Sequence, residues 1–149
     1  MNVAHKVTSL EQRSVRDTGL KVSVLGMGTA PLGNLFSQLD EATAIATVTA
    51  ALDSGINLID TSPWYGLGLA ELRVGAAIRQ AQCRRENVVV STKVGRWMNP
   101  MSSKTKQVGD VAAPGWAAPL NHRAVLDYSY EGTLRSIEQS LLRTGLDRI

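Results

Sequence analysis

The stretch INLIDTSPWYGLG, residues 56–68, decides the fold that this sequence predicts. Its first half is a short apolar run, rich in β-branched residues and closed by Thr-Ser-Pro, which is typical of a buried strand. The carboxylate of Asp60 ends that strand. Tyr65 follows in a loop whose glycines, Gly66 and Gly68, allow the chain to fold back over the strand end. The stretch therefore predicts a buried strand that leads directly into ionisable side chains.

Helical periodicity lies on both sides of this strand. Before it, Asp40 as N-cap, Glu41 in the first turn and Gly55 as the residue after the C-cap bound a predicted helix. After it, helical spacing resumes over residues 70–80, with Glu71 near the positive end of the helix dipole. The residues that recur at helical spacing, and so predict the buried faces, are Ala42, Ile45, Ala46, Thr49 and Leu52 in the first helix and Leu72, Val74, Ala76, Ala77 and Ile78 in the second.

Two further strands complete the pattern. Residues 21–25 alternate polar and apolar and end at the glycines of residues 26–28, which predicts the first strand. NVVVSTK, residues 87–93, predicts another strand, which ends at Lys93. Strand, helix, strand, helix, strand in this order is typical of an α/β fold built from parallel βαβ units. Because the carboxyl ends of parallel strands form the working face of such folds, we expect Asp60 and Lys93 to lie close together.

The pattern becomes irregular over residues 95–129, and loops of this length are usually functional lids or linkers. Trp97 and Trp116 in this segment either line an apolar pocket or cover an exposed strand edge. A helix is predicted again over residues 130–143, and residues 146–149 resemble the beginning of a next buried strand, so we expect the sequence to stop within a βα unit. The apolar residues on one side of this helix are Leu134, Ile137, Leu141 and Leu142.

Asp60, Tyr65 and Lys93 are the candidates for catalysis. A phenol has an unperturbed pKa of about 10, and a nearby ammonium lowers that pKa because it favours the phenolate. In this interpretation Asp60 holds Lys93, Lys93 tunes Tyr65, and Tyr65 moves a proton near neutral pH. The alternative is an ordinary ion pair between Asp60 and Lys93 at the rim of the sheet.

The glycines after the first strand match no phosphate-binding motif. Gly26 and Gly28 begin the dinucleotide fingerprint, but Pro31 stands where its third glycine is required. The spacing of Gly28 and Gly33 fits a P-loop, yet the two residues after Gly33 are Asn and Leu instead of Lys and Ser or Thr. The remaining interpretation of these glycines is a plain turn at the end of the strand.

Composition excludes several classes of protein. A length of 149 residues suits one domain, and 44% hydrophobic with 19% charged residues excludes intrinsic disorder. The 16 Lys and Arg against 13 Asp and Glu give a net charge of +3, but these basic residues are scattered, so no nucleic-acid partner is predicted. No apolar stretch reaches the ~18 residues that span a bilayer, and no secretory signal begins the chain, so we expect a cytoplasmic protein without a membrane partner.

Cysteine and histidine predict no metal site. A single cysteine, Cys83, excludes an internal disulfide framework and a Cys-rich zinc site, and is interpreted as a packing or surface residue. Neither His5 nor His122 has a His, Cys or acidic neighbour at metal-ligand spacing. Residues 1–12 are predicted to form a flexible leader and residues 13–149 the folded domain.

Several motifs resemble the aldo-keto reductase family. The sequence DTSPWYGLGLAELRVG, residues 60–75, followed by STK, residues 91–93, resembles the family signature, with alanine where the family commonly has serine before the glutamate. LGMGT, residues 25–29, resembles its first strand. DYSYEG, residues 127–132, resembles the branch that contains D-threo-aldose, L-fucose and pyridoxal dehydrogenases. The resemblance covers residues 13–149.

The resemblance implies a truncated (β/α)8 TIM barrel. The chain would supply an N-terminal β-hairpin over residues 13–23 and the first three βα units, with the C-terminal half missing. The family's catalytic histidine, at the end of the fourth strand, would lie beyond Ile149, and His122 does not match that position.

The resemblance also implies a chemistry. The cofactor would be NADP or NAD, and a hydride would pass between the nicotinamide C4 and the carbonyl carbon of a small carbonyl compound or the C1 of an aldose, with Tyr65 transferring the proton. It assigns catalysis to Asp60, Tyr65 and Lys93, cofactor binding to Gly28, Thr29, Ala30 and Asp60, and the wall of the substrate pocket to Trp64 and Trp97.

Two other functions compete with a fragment of an oxidoreductase, which by itself is expected to be inactive. One is a non-catalytic truncated pseudo-barrel that serves as a partner subunit for another chain. The other is a small binding module with a flavodoxin-like sheet, against which the missing phosphate loop counts.

Overall fold

The fold is seen in a computed structural model that describes residues 10–81, 85–100, 110–111 and 115–149. His5, Cys83 and the first nine residues of the predicted leader lie outside these ranges. The interpretations that concern them therefore stay predictions.

A parallel sheet of three short strands organises the described residues. It consists of β3 (Gly26–Gly28), β4 (Leu58–Asp60) and β5 (Val89–Ser91), in the order β3-β4-β5. The two crossovers are α1 (Glu41–Asp53) and α2 (Leu69–Gln80). This arrangement confirms the predicted alternation of strands and helices, and it brings the carboxyl ends of the strands to one edge of the sheet.

The core lies between this sheet and the two helices. The Asp40 carboxylate accepts a hydrogen bond of 2.9 Å from the Thr43 backbone N–H, and Gly55 after the helix has a φ of +88°, so both predicted ends of α1 are confirmed. The fully buried side chains of this core include Val48, Ile59, Val74 and Ala77.

The predicted face of α1 is buried only in part, since Leu52 is buried and Ile45 packs against the core but two of the alanines do not. Ala42 and Ala46 are exposed, whereas Ala44 and Val48 are completely buried. Small residues, alanine and threonine, lie on every side of this helix, so its periodicity does not single out one face. The contact with α2 and the sheet selects the face that is buried.

The first strand also differs from its prediction. Residues 21–25 do not form one strand that the glycines end. Instead, β2 (Lys21–Ser23) pairs antiparallel with β1 (Gln12–Ser14), and the glycines themselves form β3. A Cβ on Gly26 would lie 3.2 Å from the Leu58 side chain, so a glycine lets the two strands approach closely. The hairpin confirms the one implied by the family resemblance.

The segment predicted to be irregular contains a second sheet. β6 (Arg96–Pro100), β7 (Asp110–Val111) and β8 (His122–Leu126) pair antiparallel in the order β6-β8-β7. The Gln139 side chain covers the other edge of β6, since it accepts from Met98 N at 2.8 Å and donates to Met98 O at 2.8 Å. The pairing joins residues far apart in sequence, which local periodicity cannot reveal.

The last helix, α3 (Tyr130–Thr144), buries the opposite face from the one predicted. Leu134, Ile137 and Leu142 are exposed, whereas small residues face the protein. The reason is a close contact with α2, where a Cβ on Gly75 would lie 1.9 Å from Thr144 O, so leucines would not fit. The buried residues of α3 are Gly132, Ser136, Ser140 and Thr144.

No helix among the described residues is long and apolar enough to cross a bilayer.

Candidate active site

Asp60 and Lys93 meet at the carboxyl ends of β4 and β5, as the strand order predicts. The Lys93 ammonium donates to Asp60 Oδ2 at 2.7 Å and to Thr61 O at 2.9 Å. The other carboxylate oxygen of Asp60 accepts from Ser91 Oγ at 2.7 Å. The Lys93 and Asp60 side chains are 47% and 45% exposed, so the pair remains open to a ligand.

Tyr65 lies beside this pair, because the loop after β4 turns back sharply. Gly66 and Leu67 both have positive φ, 65° and 56°, and these left-handed residues reverse the chain. A Cβ on Gly33 would lie only 2.5 Å from Gly66 N, so the loops after β3 and β4 are in direct backbone contact. Lys93 Nζ then stands 5.1 Å from the centre of the Tyr65 ring. All three predicted catalytic side chains therefore come together, and their roles stay predictions.

The charge of Lys93 is stabilised by its neighbours. Burial by itself would lower the pKa of Lys93, but the hydrogen bond and the negative charge of Asp60, together with Tyr65, outweigh burial and raise that pKa above its ordinary value of 10.5. The ammonium therefore stays charged through neutral and mildly alkaline pH.

We expect Asp60→Asn to lower the pKa of Lys93. The substitution removes the anion that raises the pKa and leaves the burial that lowers it. The folded protein holds this proton more tightly than the unfolded chain, so the pair stabilises the fold below pH 10.5 and loses that effect as pH rises through the raised pKa. Nuclear magnetic resonance titration of the lysine side chain measures the shift, and unfolding across alkaline pH measures the loss.

The matched control for this titration is Asp147→Asn. Asp147 is an aspartate with an ion-pair partner, Arg148, and it lies after α3. This control should leave the Lys93 titration unchanged. An unchanged Lys93 titration in Asp60→Asn would contradict the assigned cause.

A buried ion pair supports the strand end that carries Lys93. Glu71, on α2, is completely buried, accepts from Thr92 Oγ1 at 2.7 Å and pairs with Arg143 Nε at 2.6 Å. It therefore links α2, the residue before Lys93, and α3. Sequence analysis placed Glu71 at a helix dipole and in the family signature, but nothing local in the sequence indicates a partner 72 residues away.

The predicted cofactor residues line the same edge. Both Thr29 N and Thr29 Oγ1 donate to Asp60 O, at 3.0 and 2.9 Å, so Thr29 fastens the end of β3 to the end of β4. Gly28 pairs with Asp60, and no atom lies within 4 Å of the place where its Cβ would stand. Ala30 begins the turn that follows. Open space over a glycine next to polar groups fits a flat nicotinamide ring, so these residues suit the implied cofactor.

The aromatic residues divide between the site and its surroundings. Trp64 and Trp116 meet edge to face, with ring centres 6.5 Å apart, and Trp116 lies 6.0 Å from the Tyr65 ring. Backbone pairing with Leu35 holds Trp116 there. Trp97 packs against the Arg135 guanidinium at 4.6 Å. The structure therefore places Trp116 against both Trp64 and Tyr65, and Trp97 against α3, while sequence analysis left the position of Trp116 open.

A cleft next to this cluster contains residues that sequence analysis missed. It has a volume of about 170 Å³ and is lined by Lys93, Trp64, Arg96 and Tyr128, among others. The Tyr128 ring lies over Gly95, where a Cβ would come within 2.2 Å of it. Nothing local in the sequence marks Arg96 or Tyr128, since their position depends on the pairing of β6 with β8. Among the described residues, no three His, Cys, Asp or Glu side chains group closely enough to hold a metal ion.

Comparisons with known proteins agree with this arrangement. A sequence model of the aldo/keto reductase family matches residues 24–149. Pyridoxal 4-dehydrogenase of Microbacterium luteolum is 42% identical over 93% of this chain and 41% of its own length. D-threo-aldose 1-dehydrogenase of a Pseudomonas species is 40% identical over 88% of this chain and 39% of its own length.

A solved structure is similar as well. The holo form of an aldo-keto reductase from Bacillus halodurans shares 29% identity and a TM-score of 0.67 over 94% of this chain, which is 38% of that protein. The chain thus spans about two fifths of the length of the relatives it matches.

Proposed function

Because the chain belongs to the aldo/keto reductase family, we propose that it is part of a nicotinamide-dependent oxidoreductase that interconverts a carbonyl group and an alcohol. The cluster of Asp60, Lys93 and Tyr65 at the open strand ends carries this proposal. The chain contains a proton donor, a cation beside it and an anion that holds the cation. An ordinary rim ion pair would not require the Tyr65 loop to be folded back by two positive-φ residues.

Each residue of the cluster has a separate task. Tyr65 gives a proton to the carbonyl oxygen during reduction and removes it during oxidation. Lys93 stabilises the phenolate that remains after reduction, and Asp60 keeps Lys93 in place through a hydrogen bond of 2.7 Å. Ser91, which donates to Asp60, fixes the orientation of that carboxylate.

The proposed cofactor is NADP or NAD, held by Gly28, Thr29, Ala30 and Asp60. When bound, this cofactor supplies or accepts the hydride at the nicotinamide C4. Thr29 keeps the ends of β3 and β4 together, and the open space over Gly28 admits a flat ring. The proposed substrate is a small carbonyl compound or a sugar, since relatives are named for pyridoxal and for D-threo-aldose. Trp64 and Trp97 are the residues proposed for the wall of the substrate pocket.

We also propose that residues 13–149 form the N-terminal part of a (β/α)8 barrel. Three parallel strands cannot close into a barrel, and Leu134, Ile137 and Leu142 of α3 are exposed. Further strands and helices would cover these apolar side chains and complete the catalytic group. Neither a partner subunit nor a flavodoxin-like module gains support from relatives that are named as dehydrogenases.

The proposal is tested on the protein at its natural length. We expect it to oxidise NADPH or NADH in the presence of a small aldehyde, or to reduce the oxidised cofactor with a sugar or alcohol, as followed by the absorbance of the reduced nicotinamide. Asp60→Asn is expected to impair this reaction. Failure to bind or turn over either cofactor with pyridoxal, aldoses and simple aldehydes would contradict the proposal.

A further inference from the structure

Arg96 is a second cation in the cleft beside Tyr65. It begins β6, and its guanidinium carbon stands 4.8 Å from the centre of the Trp64 ring. Arg96 and Lys93 line the same cleft of about 170 Å³. Hydrogen bonds to α3 fix the backbone of Arg96. Ser136 Oγ donates to Arg96 O at 3.3 Å, and Met98, two residues further along β6, donates its N–H to Gln139.

The bonding of Arg96 differs from that of the buried arginines. Arg73 donates to Leu32 O and Leu39 O, among other oxygens, and Arg143 pairs with Glu71. Arg96 Nε is buried and has no hydrogen-bond partner within the part of the chain that the structure describes. No carboxylate of the described residues lies within ion-pair distance of Arg96. Among the described residues, the face of Trp64 is the contact that stabilises its charge.

The charges of the cleft are also unequal. Lys93 already donates to Asp60 and to Thr61 O, so Asp60 neutralises Lys93. The positive charge of Arg96 is not neutralised by this pair. The Arg96 guanidinium lies over the Trp64 ring, and its N–H groups point along its own plane, so the ring does not use them as hydrogen-bond donors. A guanidinium edge pairs with a planar carboxylate through two parallel hydrogen bonds. The cleft thus favours a substrate that carries a negatively charged, planar group.

We infer that Arg96 is a specificity-determining residue that binds a carboxylate of the substrate. This inference rests on the proposed function and narrows its substrate class to aldehydes or alcohols that carry a carboxylate, such as sugar acids. Arg96 binds the carboxylate, and Trp64 orients the guanidinium. Tyr65 transfers the proton at the other end of the substrate. A neutral substrate of the same shape leaves Arg96, whose Nε is buried, without a partner for its charge and is bound less well.

The test compares 4-formylbenzoate with its methyl ester, which have the same reacting group and differ in charge. With the natural-length protein and reduced nicotinamide, Arg96→Met should lower kcat/KM for the acid by about 10- to 100-fold, mostly through KM. The ester should change by less than about 3-fold. Arg96→Lys should restore part of the preference, since it keeps the charge but loses the paired hydrogen bonds.

Arg135→Met is the matched control. Arg135 also stacks on a tryptophan, Trp97, at 4.6 Å, but it lies on α3 outside the cleft. This variant should leave the ratio of acid to ester unchanged. An equal effect of Arg135→Met would show that loss of an arginine–tryptophan stack, and not of carboxylate binding, changes the ratio, and would overturn the inference.

A binding measurement separates this inference from the proposed function. 4-Methylbenzoate cannot react, and its binding should change the tryptophan fluorescence of the wild-type protein and weaken about 10-fold or more in Arg96→Met. If neither aldehyde is reduced but this binding depends on Arg96, the oxidoreductase proposal fails and carboxylate recognition stands. If both Arg96 variants bind 4-methylbenzoate as the wild type does, or keep the ratio of acid to ester, carboxylate recognition is overturned.

Discussion

Tyr65→Phe is expected to lower kcat by about 10²- to 10⁴-fold, the contribution of a positioned general acid. The substitution removes one hydroxyl and keeps the ring, which contacts Trp116 at 6.0 Å between ring centres and lies 5.1 Å from Lys93 Nζ. The loop should therefore keep its conformation, so the midpoint of thermal unfolding should barely change. Steady-state kinetics on the natural-length protein, with both nicotinamide cofactors, measures the loss.

Tyr130→Phe is the control for this substitution. Tyr130 begins α3 and is 75% exposed, and the same hydroxyl is removed there without touching the cluster. It should keep the activity of the wild type. If Tyr65→Phe retained more than about a tenth of the wild-type kcat, Tyr65 would not be the proton donor and the role of Lys93 beside it would have to be reassigned.

Arg143→Met is expected to lower the free energy of unfolding by about 3–5 kcal/mol, because it leaves a buried charge without a partner. Glu71 is completely buried and the Arg143 side chain is only 11% exposed, so water cannot replace the lost ion pair. The same change should raise the pKa of His122, since burial and the nearby charge of Arg143 both lower it and only burial would remain. Urea unfolding measures the first effect and histidine titration the second.

Two variants distinguish the buried pair from ion pairs in general. Arg13→Met breaks a pair with Glu11 whose side chains are 73% and 66% exposed, and should cost no more than about 1 kcal/mol. Adding Glu71→Gln to Arg143→Met removes the stranded charge and should recover part of the stability. Equal destabilisation by Arg13→Met and Arg143→Met would contradict the importance assigned to burial.

Features that depend on neighbouring residues could be predicted from the sequence. The cap at Asp40 is one hydrogen bond to Thr43, and the turn at Gly55 needs only a residue that tolerates positive φ. The βαβ order, together with the rule that parallel strands present their carboxyl ends at one edge, was sufficient to expect Asp60 and Lys93 in contact. The glycines of the loop after Asp60 allowed Tyr65 to be expected at the same edge, and the family motifs agreed with that placement.

Features that depend on distant residues were mispredicted or missed. The buried face of α1 could not be read from a helix that carries small residues on every side, and α3 turns its serines toward the protein because Gly75 leaves no room for leucine. Arg96 reaches the cleft only because β6 pairs with β8, and Glu71 finds its charge partner 72 residues along the chain.

The sequence by itself determined the alternation of the parallel strands with the helices, the ends of α1 and the chemistry available at the strand ends, since backbone conformation and amphipathic spacing are local properties. Only the tertiary structure decided which helix faces are buried, which tryptophan lies against Tyr65 and which arginine shares the cleft with Lys93. These depend on close packing and on hydrogen bonds between segments that the chain brings together only when it folds.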